Sequence, residues 1–445
     1  MSGDTIFALA SGKGRAGVSV IRISGEKAGD AVKAITGKDL PLPRQAARRW
    51  FLDPSDNNSQ IDDGLLIWFP GPNSFTGEDC AEIQGHGGLA VISAMLRILG
   101  EQSGLRLAEP GEFTRRAFQN GKMDLTEAEG LIDLIDAETE AQRKQALAQS
   151  KGALGALYEG WSERLKRILA YYEAEIDFAD EDLPEDVGQR LGPNIQALLN
   201  EMDQHLNDNR RGERLRDGVQ VAIIGPPNAG KSSLLNTLAQ REAAIVSDIA
   251  GTTRDIVEVH LDLGGYPVII SDTAGIREQT DDVIELEGIR RAHQAASDAD
   301  LTLCVVDGSE ISALSTAQEL LGDRHGLIIL NKSDKISGDQ IADSDQSVYG
   351  ISVKTGNGLD ELLKVLSGQV ASLFGASDMP YLTRERHRQA VIEAKEALGK
   401  VPYAPEMVLA AEDIRIAMRA LGRITGTVGV EELLDVIFRD FCIGK

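Results

Sequence analysis

A glycine-rich segment, Gly-Pro-Pro-Asn-Ala-Gly-Lys-Ser at residues 225–232, constrains this chain more than any other feature. It follows the β-branched run Val219–Ile224, and the residues after it, Ser-Leu-Leu-Asn-Thr-Leu, are typical of the first turns of a helix. Strand, glycine loop and helix are the context in which this pattern forms a phosphate-binding loop. Backbone N–H groups would surround the phosphates, Lys231 would neutralise their charge, and the Ser232 hydroxyl would bind Mg²⁺.

Three later segments also follow short apolar runs: Asp-Thr-Ala-Gly at 272–275, Asn-Lys-Ser-Asp at 331–334 and Ser-Val-Lys at 352–354. We expect each at the end of a strand, where open α/β sheets bind ligands. Asp272 would reach Mg²⁺ through water, and the Gly275 N–H would meet a γ-phosphate. Asp334 would accept hydrogen bonds from guanine N1–H and the exocyclic amine, a pair that adenine lacks.

The order of these segments is that of guanine-nucleotide-binding proteins, whereas four unrelated turns would have no reason to follow it. The sequence therefore predicts a GTP site formed by Asn228, Ala229, Gly230, Lys231, Ser232, Ser233, Asp272, Thr273, Ala274, Gly275, Asn331, Lys332, Asp334, Ser352, Val353 and Lys354.

Length and composition indicate a multidomain globular protein. The chain has 445 residues, about three domains, with 42% hydrophobic residues and no run long enough to span a membrane. The N-terminus lacks the basic and apolar regions of a signal peptide. Three cysteines without paired spacing argue against a disulfide framework and a zinc site. We therefore expect a cytoplasmic protein.

The net charge of −24 excludes a protein whose whole surface binds nucleic acid. Contact with RNA would need a local basic patch or a partner protein. Two arginine clusters are candidates, although solvated helix faces are the expected interpretation: Arg210, Arg211, Arg214 and Arg216, and Arg384, Arg386 and Arg388.

Strand-like runs and glycine turns dominate residues 1–118. In the run at 18–23, alternation places Arg22 on the same face as Val18 and Val20. A guanidinium among apolar neighbours needs an anionic partner, either a structural salt bridge or a bound carboxylate. Glu82 similarly interrupts an extended run at 80–84.

Helical periodicity begins at about residue 119. The clearest case is an apolar stripe between Leu154 and Ile176, and helices are also expected at 191–206, 389–398, 406–421 and 430–441. Because these helices lie on both sides of the nucleotide segment 216–376, we expect one helical domain split by an inserted domain. A two-domain tail without such pairing is the alternative.

Motifs along the whole chain resemble one family. They are the phosphate loop, Gly-Thr-Thr-Arg-Asp at 251–255, Asp-Thr-Ala-Gly at 272–275, Ser-Phe-Thr-Gly-Glu-Asp at 74–79, Gln-Gly-His-Gly-Gly at 84–88, Pro-Gly-Glu-Phe at 110–113 and the terminal Phe-Cys-Ile-Gly-Lys. Together they are similar to MnmE, also called TrmE, the family of GTPases that modify the wobble uridine of tRNA. The N-terminal blocks and the C-terminal end are more specific than the nucleotide motifs, which many GTPases share.

The resemblance implies a multidomain α/β plus all-α protein. Residues 1–118 would form an α+β domain for folate binding and dimerisation, 119–215 and 377–445 a split helical domain, and 216–376 an inserted Ras-like α/β G domain. As a homodimer assembled with the FAD-containing MnmG, the family adds an aminomethyl or carboxymethylaminomethyl group to uridine C5 in tRNA. The carbon comes from 5-formyl- or 5,10-methylene-tetrahydrofolate.

The resemblance also implies site residues outside the nucleotide motifs. The folate site maps onto Arg22, Glu82, Lys122 and Lys445, and we hypothesise that Glu82 accepts hydrogen bonds from the pterin. Cys442 is either catalytic or a small buried hydrophobe, because only Lys445 is nearby to lower the pKa of its thiol.

Hydrolysis needs a substitute for the glutamine of Ras-like enzymes, because Ile276 follows Gly275. Asn228 would help to hold K⁺ beside the phosphates, or it is a loop-capping amide. By resemblance, Ser247, Ile249 and Thr252 complete the K⁺ site and Thr253 binds Mg²⁺. Glu285, or else Glu287, would be the catalytic acid that orients water.

Two other function classes share parts of this pattern. A GTP switch assisting ribosome assembly without RNA chemistry would carry the same nucleotide motifs, but the acidic chain shows no appended basic module. A folate-dependent one-carbon transferase acting on another substrate would explain the N-terminus but leave the GTPase without a role. We expect the tRNA modification function.

Overall fold

The computed structural model describes residues 3–177, 185–240, 258–272, 297, 299–310, 312–335, 348–375, 379–429, 431–439, 441 and 443–444. Contacts divide the chain into two compact units. The first comprises Met1–Ile132, Ser150–Ser162 and Leu421–Lys445, and the second comprises Asp133–Gln149 and Glu163–Ala420.

Two sheets carry the strands. The strands of the first sheet are β1 (Thr5–Leu9), β2 (Ala16–Ser24), β3 (Ala47–Asp53), β4 (Ser59–Phe69), β5 (Cys80–Gly87) and β6 (Leu105–Leu107). Those of the second are β7 (Val219–Ile224), β8 (Glu258–Leu263), β9 (Tyr266–Asp272), β10 (Leu301–Asp307), β11 (Gly326–Asn331) and β12 (Val348–Gly350).

The helices of the described residues are α1 (Ala28–Thr36), α2 (Leu89–Gly100), α3 (Glu112–Gln119), α4 (Leu125–Asp136), α5 (Glu140–Ser150), α6 (Ala153–Asp177), α7 (Glu185–Leu206), α8 (Arg211–Asp217), α9 (Lys231–Ala239), α10 (Ala313–Leu321), α11 (Leu359–Phe374), α12 (Glu385–Lys400), α13 (Met407–Thr425) and α14 (Glu431–Arg439). None of them combines the length and the apolar composition needed to cross a membrane.

The first sheet has the order β3-β4-β5-β2-β1-β6, antiparallel except where β1 pairs with β6. Helices α1 and α2 cover one face, where their apolar side chains pack on Ile21, Ile23 and Ile83. Arg22 alternates with Ile21 and Ile23 and therefore projects from the opposite face. That face is only partly covered: Val18, Trp50 and Leu65 remain 59%, 47% and 40% exposed.

The C-terminus belongs to the first unit. Phe438 and Phe441 form a buried cluster with Leu125 of α4. Ile443 pairs with Pro110 in an antiparallel bridge. A Cβ at Gly444 would lie 2.1 Å from the carbonyl oxygen of Leu9, at the end of β1. The last residues therefore lie beside the first strand of the N-terminal sheet.

The second sheet has the order β12-β11-β10-β7-β9-β8, parallel except for the edge strand β8. Its central strand β10 is buried from Leu301 through Val306, as expected for a strand covered on both faces. Parallel pairing places the carboxyl ends of β7, β9, β10 and β11 at one edge.

The predicted helices are confirmed. The apolar stripe coincides with α6, and α7, α12, α13 and α14 include or overlap the other predicted segments. Lys395 of α12 forms an ion pair with Asp203 of α7. A helix that precedes the second sheet in the chain therefore packs against a helix that follows it. This contact favours an inserted domain over a two-domain tail. The predicted fold class is confirmed, whereas the boundaries at 118, 216 and 376 stay predictions.

Candidate functional site

The structure brings the described nucleotide motifs to one edge of the second sheet. The phosphate loop follows β7, Asp272 is the last residue of β9, and Asn331 is the last residue of β11. Ser352 comes two residues after β12. The strand order thereby brings segments that are far apart in sequence to one edge of the sheet.

Two glycines allow the phosphate loop to pack against its neighbours. Gly225 has φ +143°, and a Cβ there would lie 1.9 Å from the Val305 carbonyl oxygen. Gly230 has φ +98°, and its Cβ would lie 2.2 Å from Asn331 Nδ2. Since both positions combine a positive φ with a close neighbour, only glycine fits them.

Lys231 begins α9 and is buried, with 7% of its surface exposed. Its Nζ donates to the carbonyl oxygens of Gly225 and Pro226, each at 2.9 Å. Burial lowers the pKa of the Lys231 ammonium, and the Asp272 carboxylate opposes that effect. The loop thus holds a cation beside the N-terminus of α9, where anions bind favourably.

Ser232 and Asp272 form the metal side of the site. Ser232 Oγ donates to Asp272 Oδ2 at 2.5 Å, and Asp272 is only 2% exposed. A hydroxyl beside a carboxylate offers the hard oxygen donors that Mg²⁺ prefers. These two residues fit the predicted Mg²⁺ site. Ser233 occupies the same first turn of α9.

Asn331 links the base side of the site to the phosphate loop. Its Nδ2 donates to the Ala229 carbonyl oxygen at 2.8 Å, and its Oδ1 accepts from the backbone N–H groups of Lys332 and Val353. Because its amide is satisfied inside the protein, we assign Asn331 to holding the loops together. Lys332 Nζ also donates to the Asn228 carbonyl oxygen, at 3.1 Å.

Asp334 is the residue that the sequence predicts to select guanine, and a neighbouring hydroxyl holds its carboxylate. Ser352 Oγ donates to Asp334 Oδ1 at 2.6 Å, which lowers the pKa of the carboxyl and keeps it ionised. The nearby positive charge of Lys354 also lowers the pKa of the Asp334 carboxyl. An ionised carboxylate accepts two N–H groups from guanine, whereas it faces no such pair on adenine.

Sequence reasoning missed Asp307, the last residue of β10. Its Oδ2 accepts from Lys332 Nζ at 2.6 Å, and its Oδ1 accepts from Ser309 N–H and Oγ. These donors lower the pKa of Asp307 to about 2 although burial acts in the opposite direction. The available signal was an aspartate directly after the apolar run 301–306.

Several predicted residues lie outside the described part of the chain: Ser247, Ile249, Thr252, Thr253, Thr273, Ala274, Gly275, Ile276, Glu285, Glu287, Cys442 and Lys445. Their assignments to GTP, K⁺, Mg²⁺, folate or catalysis stay predictions.

A second candidate site lies on the partly covered face of the first sheet. Arg22 of β2 and Glu82 of β5 are directly opposite in the antiparallel register. Arg22 Nε and Nη2 donate to Glu82 Oε1 at 3.1 Å and 2.9 Å. The guanidinium lies 4.7 Å from the Phe75 ring centroid and 5.7 Å from that of Phe113. Arg22 and Glu82 are therefore each other's charge partners.

The loop at 74–79 joins this pair to Lys122. Phe75 stacks on Arg22, and a Cβ at Gly77 would lie 3.4 Å from the Lys122 side chain. Lys122 Nζ donates to the Pro72 carbonyl oxygen at 2.8 Å. Three of the four predicted folate residues thus lie around one loop.

Glu78 and Arg116 are neighbours of this site that sequence reasoning did not assign. Arg116 Nη1 donates to Glu78 Oε2 at 3.1 Å, and Ser24 Oγ donates to the same oxygen at 2.7 Å. Their contact fixes the loop at 74–79 against α3. Glu78 is part of the motif at 74–79 on which the family resemblance rests, so the sequence did contain a signal for this residue.

Several arginines of the two clusters do not lie on solvated helix faces, so that interpretation is wrong for them, whereas Arg210 is 60% exposed. Arg388 is 12% exposed and bonds Asp208 at 2.7 Å and Glu213 at 2.9 Å. Arg384 is 15% exposed and bonds Asp133 at 2.8 Å. Further pairs are Arg210 with Glu213 and Glu385, Arg214 with Asp300, and Arg216 with Asp133 and Asp217.

Two family descriptions match this chain: "GTP-binding protein TrmE N-terminus" over residues 5–122 and "MnmE helical domain" over residues 125–442. Among known proteins, the tRNA modification GTPase MnmE of Parvibaculum lavamentivorans is 55% identical over 99% of this chain and 100% of its own length. The human mitochondrial 5-taurinomethyluridine tRNA synthase subunit GTPB3 is 48% identical over 100% of this chain and 94% of its own.

Among solved structures, an Aquifex aeolicus Era variant bound to GDP and AlF4⁻ is 27% identical over 43% of this chain and 69% of its own, with a TM-score of 0.27. We draw no conclusion from that superposition. The family matches and the full-length relatives, taken with the nucleotide motifs at the sheet edge, show that this chain belongs to the MnmE (TrmE) family of tRNA modification GTPases.

Proposed function

We propose that this GTPase acts with an FAD-containing flavoprotein, MnmG, to modify the wobble uridine of certain tRNAs. It adds an aminomethyl or carboxymethylaminomethyl group to C5, with the carbon supplied by 5-formyl- or 5,10-methylene-tetrahydrofolate, in the cytoplasm. The human relative, a mitochondrial 5-taurinomethyluridine tRNA synthase subunit, supports a C5-methyl-type product.

The observation that carries the folate part is an unsatisfied donor on Arg22. Among the described residues, the buried Arg22 Nη1 has no hydrogen-bond partner, although the same guanidinium gives two bonds to Glu82. A buried donor without a partner costs about 1–3 kcal/mol. A ligand with an acceptor at this position would remove that cost.

The surroundings of Arg22 fit a reduced folate. Glu82 has one oxygen, Oε2, that is not used by Arg22 in these bonds, and it offers an acceptor for N–H groups of an aminopyrimidinone. Phe75 and Phe113 supply aromatic surface beside the guanidinium. Lys122, beside the same loop, would face the anionic tail.

The position of the C-terminus supports the assignment of Lys445 to this site. Ile443 pairs with Pro110, three residues before the Phe113 that faces Arg22. Gly444 lies against the end of β1. We propose that Lys445 contributes a cation for folate and that Cys442 is the thiol available for catalysis.

We propose that the protein forms a homodimer through the N-terminal domain. The face that carries Arg22 also exposes Val18, Trp50 and Leu65, and a second copy would cover these apolar side chains. Replacing Leu65 with glutamate should yield a monomer in analytical ultracentrifugation. Glutamate at Leu107, which is 57% exposed, is the matched control and should leave the dimer intact.

For hydrolysis, we propose that Asn228 contributes to a K⁺ site with Ser247, Ile249 and Thr252, and that Thr253 joins Ser232 at Mg²⁺. Both cations would offset negative charge on the phosphates when bound. Described residues support the Mg²⁺ part through the Ser232–Asp272 contact. GTP turnover should be faster in KCl than in equal NaCl, and equal rates would contradict the K⁺ site.

The decisive experiment is mass spectrometry of nucleosides from bulk tRNA of cells with and without this gene. We expect the loss of C5-aminomethyl-type uridines, restored by wild type but not by Lys231→Ala or Glu82→Gln. Restoration by Glu82→Gln alone would reject the folate site. An unchanged profile accompanied by ribosome-subunit defects would reject the modification function.

A further inference from the structure

Lys332 is held in an uncommon backbone conformation. Its φ is +63°, which places a side-chain-bearing residue in the left-handed region that costs about 1 kcal/mol. Such a conformation persists only where surrounding contacts determine it. The backbone N–H of Lys332 donates to Asn331 Oδ1 at 2.8 Å, and its side chain has two further partners.

Those two partners connect separate strand ends. Lys332 Nζ donates to Asp307 Oδ2 at 2.6 Å and to the Asn228 carbonyl oxygen at 3.1 Å. Asp307 ends β10, whereas Asn228 lies in the loop after β7. The Lys332 ammonium therefore links the end of β10 to the phosphate loop, which follows the neighbouring strand β7.

Asp307 is itself fixed independently of Lys332. Its Oδ1 accepts from the N–H of Ser309 at 3.1 Å and from Ser309 Oγ at 2.6 Å. The side chain is 17% exposed, and that of Lys332 is 30% exposed. One carboxylate oxygen is thus held by the following turn, which aims the other oxygen at the ammonium.

We propose that Asp307 is a positioning residue for guanine nucleotides, because it directs Lys332 across the phosphate loop. By holding the Lys332 ammonium against the Asn228 carbonyl, it fixes the phosphate loop before the nucleotide arrives. Asp307 acts through Lys332 and has no contact of its own with the reacting phosphates.

The test is a double-mutant cycle on the full chain, with the affinity for a fluorescent GDP analogue as the readout. Asp307→Asn keeps the size of the side chain but replaces one acceptor oxygen with a donor. We expect affinity to fall about tenfold, the ratio given by about 1.4 kcal/mol. In a Lys332→Met background, the same substitution should change affinity by less than about twofold, because the two residues act as a unit.

The kinetics of hydrolysis supply a readout that general destabilisation would not give. With Asp307→Asn, KM for GTP should rise by a factor similar to the loss of affinity, while kcat at saturating GTP stays within about threefold. Asp323→Asn is the matched control. Asp323 is an exposed acid in the turn before β11, at the amino ends of the strands and so away from the nucleotide motifs. This substitution should leave both constants unchanged.

Two results would overturn the proposal: unchanged affinity in Asp307→Asn, or an equal loss with and without Lys332. Asp307→Ser, which is smaller and removes both carboxylate oxygens, provides a second cycle if the asparagine variant does not fold. Lys332→Arg keeps a cation that pairs with Asp307. It should therefore bind the GDP analogue more tightly than Lys332→Met does, but only in chains that retain Asp307.

Discussion

Replacing Glu82 with alanine should destabilise the N-terminal sheet as well as remove folate binding. The substitution removes the oxygen, Glu82 Oε1, that accepts both hydrogen bonds from the Arg22 guanidinium, and it leaves a cation on a side chain that is only 14% exposed. Removing one partner of a buried ion pair costs about 3–5 kcal/mol. Because Glu82 is 22% exposed and Arg22 keeps its contacts with Phe75 and Phe113, we expect about 2 kcal/mol.

A double variant separates stability from ligand binding. Replacing a buried ion pair by apolar residues of similar volume is often neutral, so Arg22→Met with Glu82→Leu should recover most of the lost stability. It should still fail to bind folate, because both hydrogen-bonding partners are gone.

The assay is hydrogen exchange measured by mass spectrometry on peptides from β2 and β5 of the intact chain, since a multidomain protein does not unfold in two states. A loss of about 2 kcal/mol should speed exchange of these strands about thirtyfold in Glu82→Ala. Calorimetry with a reduced folate then reports binding for each variant.

Two outcomes would refute this reasoning. Unchanged exchange in Glu82→Ala would show that the ion pair contributes no stability to the sheet. Folate binding at wild-type affinity by the double variant would show that the pair is not part of the folate site.

Gly230→Ala should abolish nucleotide binding, because the new Cβ would lie 2.2 Å from Asn331 Nδ2; Gly368→Ala, which meets nothing within 4 Å, should bind normally in the same titration. Glu285→Gln should slow GTP hydrolysis without changing nucleotide affinity, and unchanged turnover would contradict its role. His205 is 2% exposed, and burial lowers its pKa to about 4. Since the unfolded chain binds this proton near pH 6.5, stability should fall as pH drops from about 6.5 to about 4. A His205→Gln variant should lose that part of the pH dependence in thermal melts.

The sequence was sufficient to predict which residues share the nucleotide edge. Each motif follows an apolar run, and parallel strands bring their carboxyl ends together whatever their order in the sheet. The observed strands Val219–Ile224, Tyr266–Asp272 and Gly326–Asn331 therefore place the described motifs as expected. Helix α6 was predictable because its apolar residues recur at the spacing of one helix face.

Contacts that depend on strand order or register were beyond sequence reasoning. Asp307 reaches Lys332 because β10 and β11 are neighbours in register, and an aspartate followed by glycine otherwise indicates only a turn. The pairing of Arg22 with Glu82 likewise requires β2 to lie beside β5 with these two residues opposite. The sequence showed that Arg22 needs an anion but left open which one.

The C-terminal residues illustrate a further limit of local patterns. Ile443 carries no periodicity that indicates a partner, yet it bridges to Pro110. Phe441, the last residue of the predicted helix at 430–441, packs with Phe438 beyond the observed end of α14. Such docking depends on long-range packing of the finished fold. It brings the chain terminus to the N-terminal sheet, which the family resemblance implied and composition alone did not.

The arginine clusters show how an acidic chain uses its cations. Arg210 bonds Glu385, and Arg388 bonds Asp208 and Glu213, so these ion pairs join the segments that precede and follow the second sheet in the chain. A tRNA phosphate would have to displace a carboxylate to reach Arg388, at a cost that exposed cations do not carry. These arginines therefore hold together the helical segments that precede and follow the second sheet in the chain. Under the proposed function, the charge that attracts tRNA comes from other cations of this chain or from the flavoprotein partner.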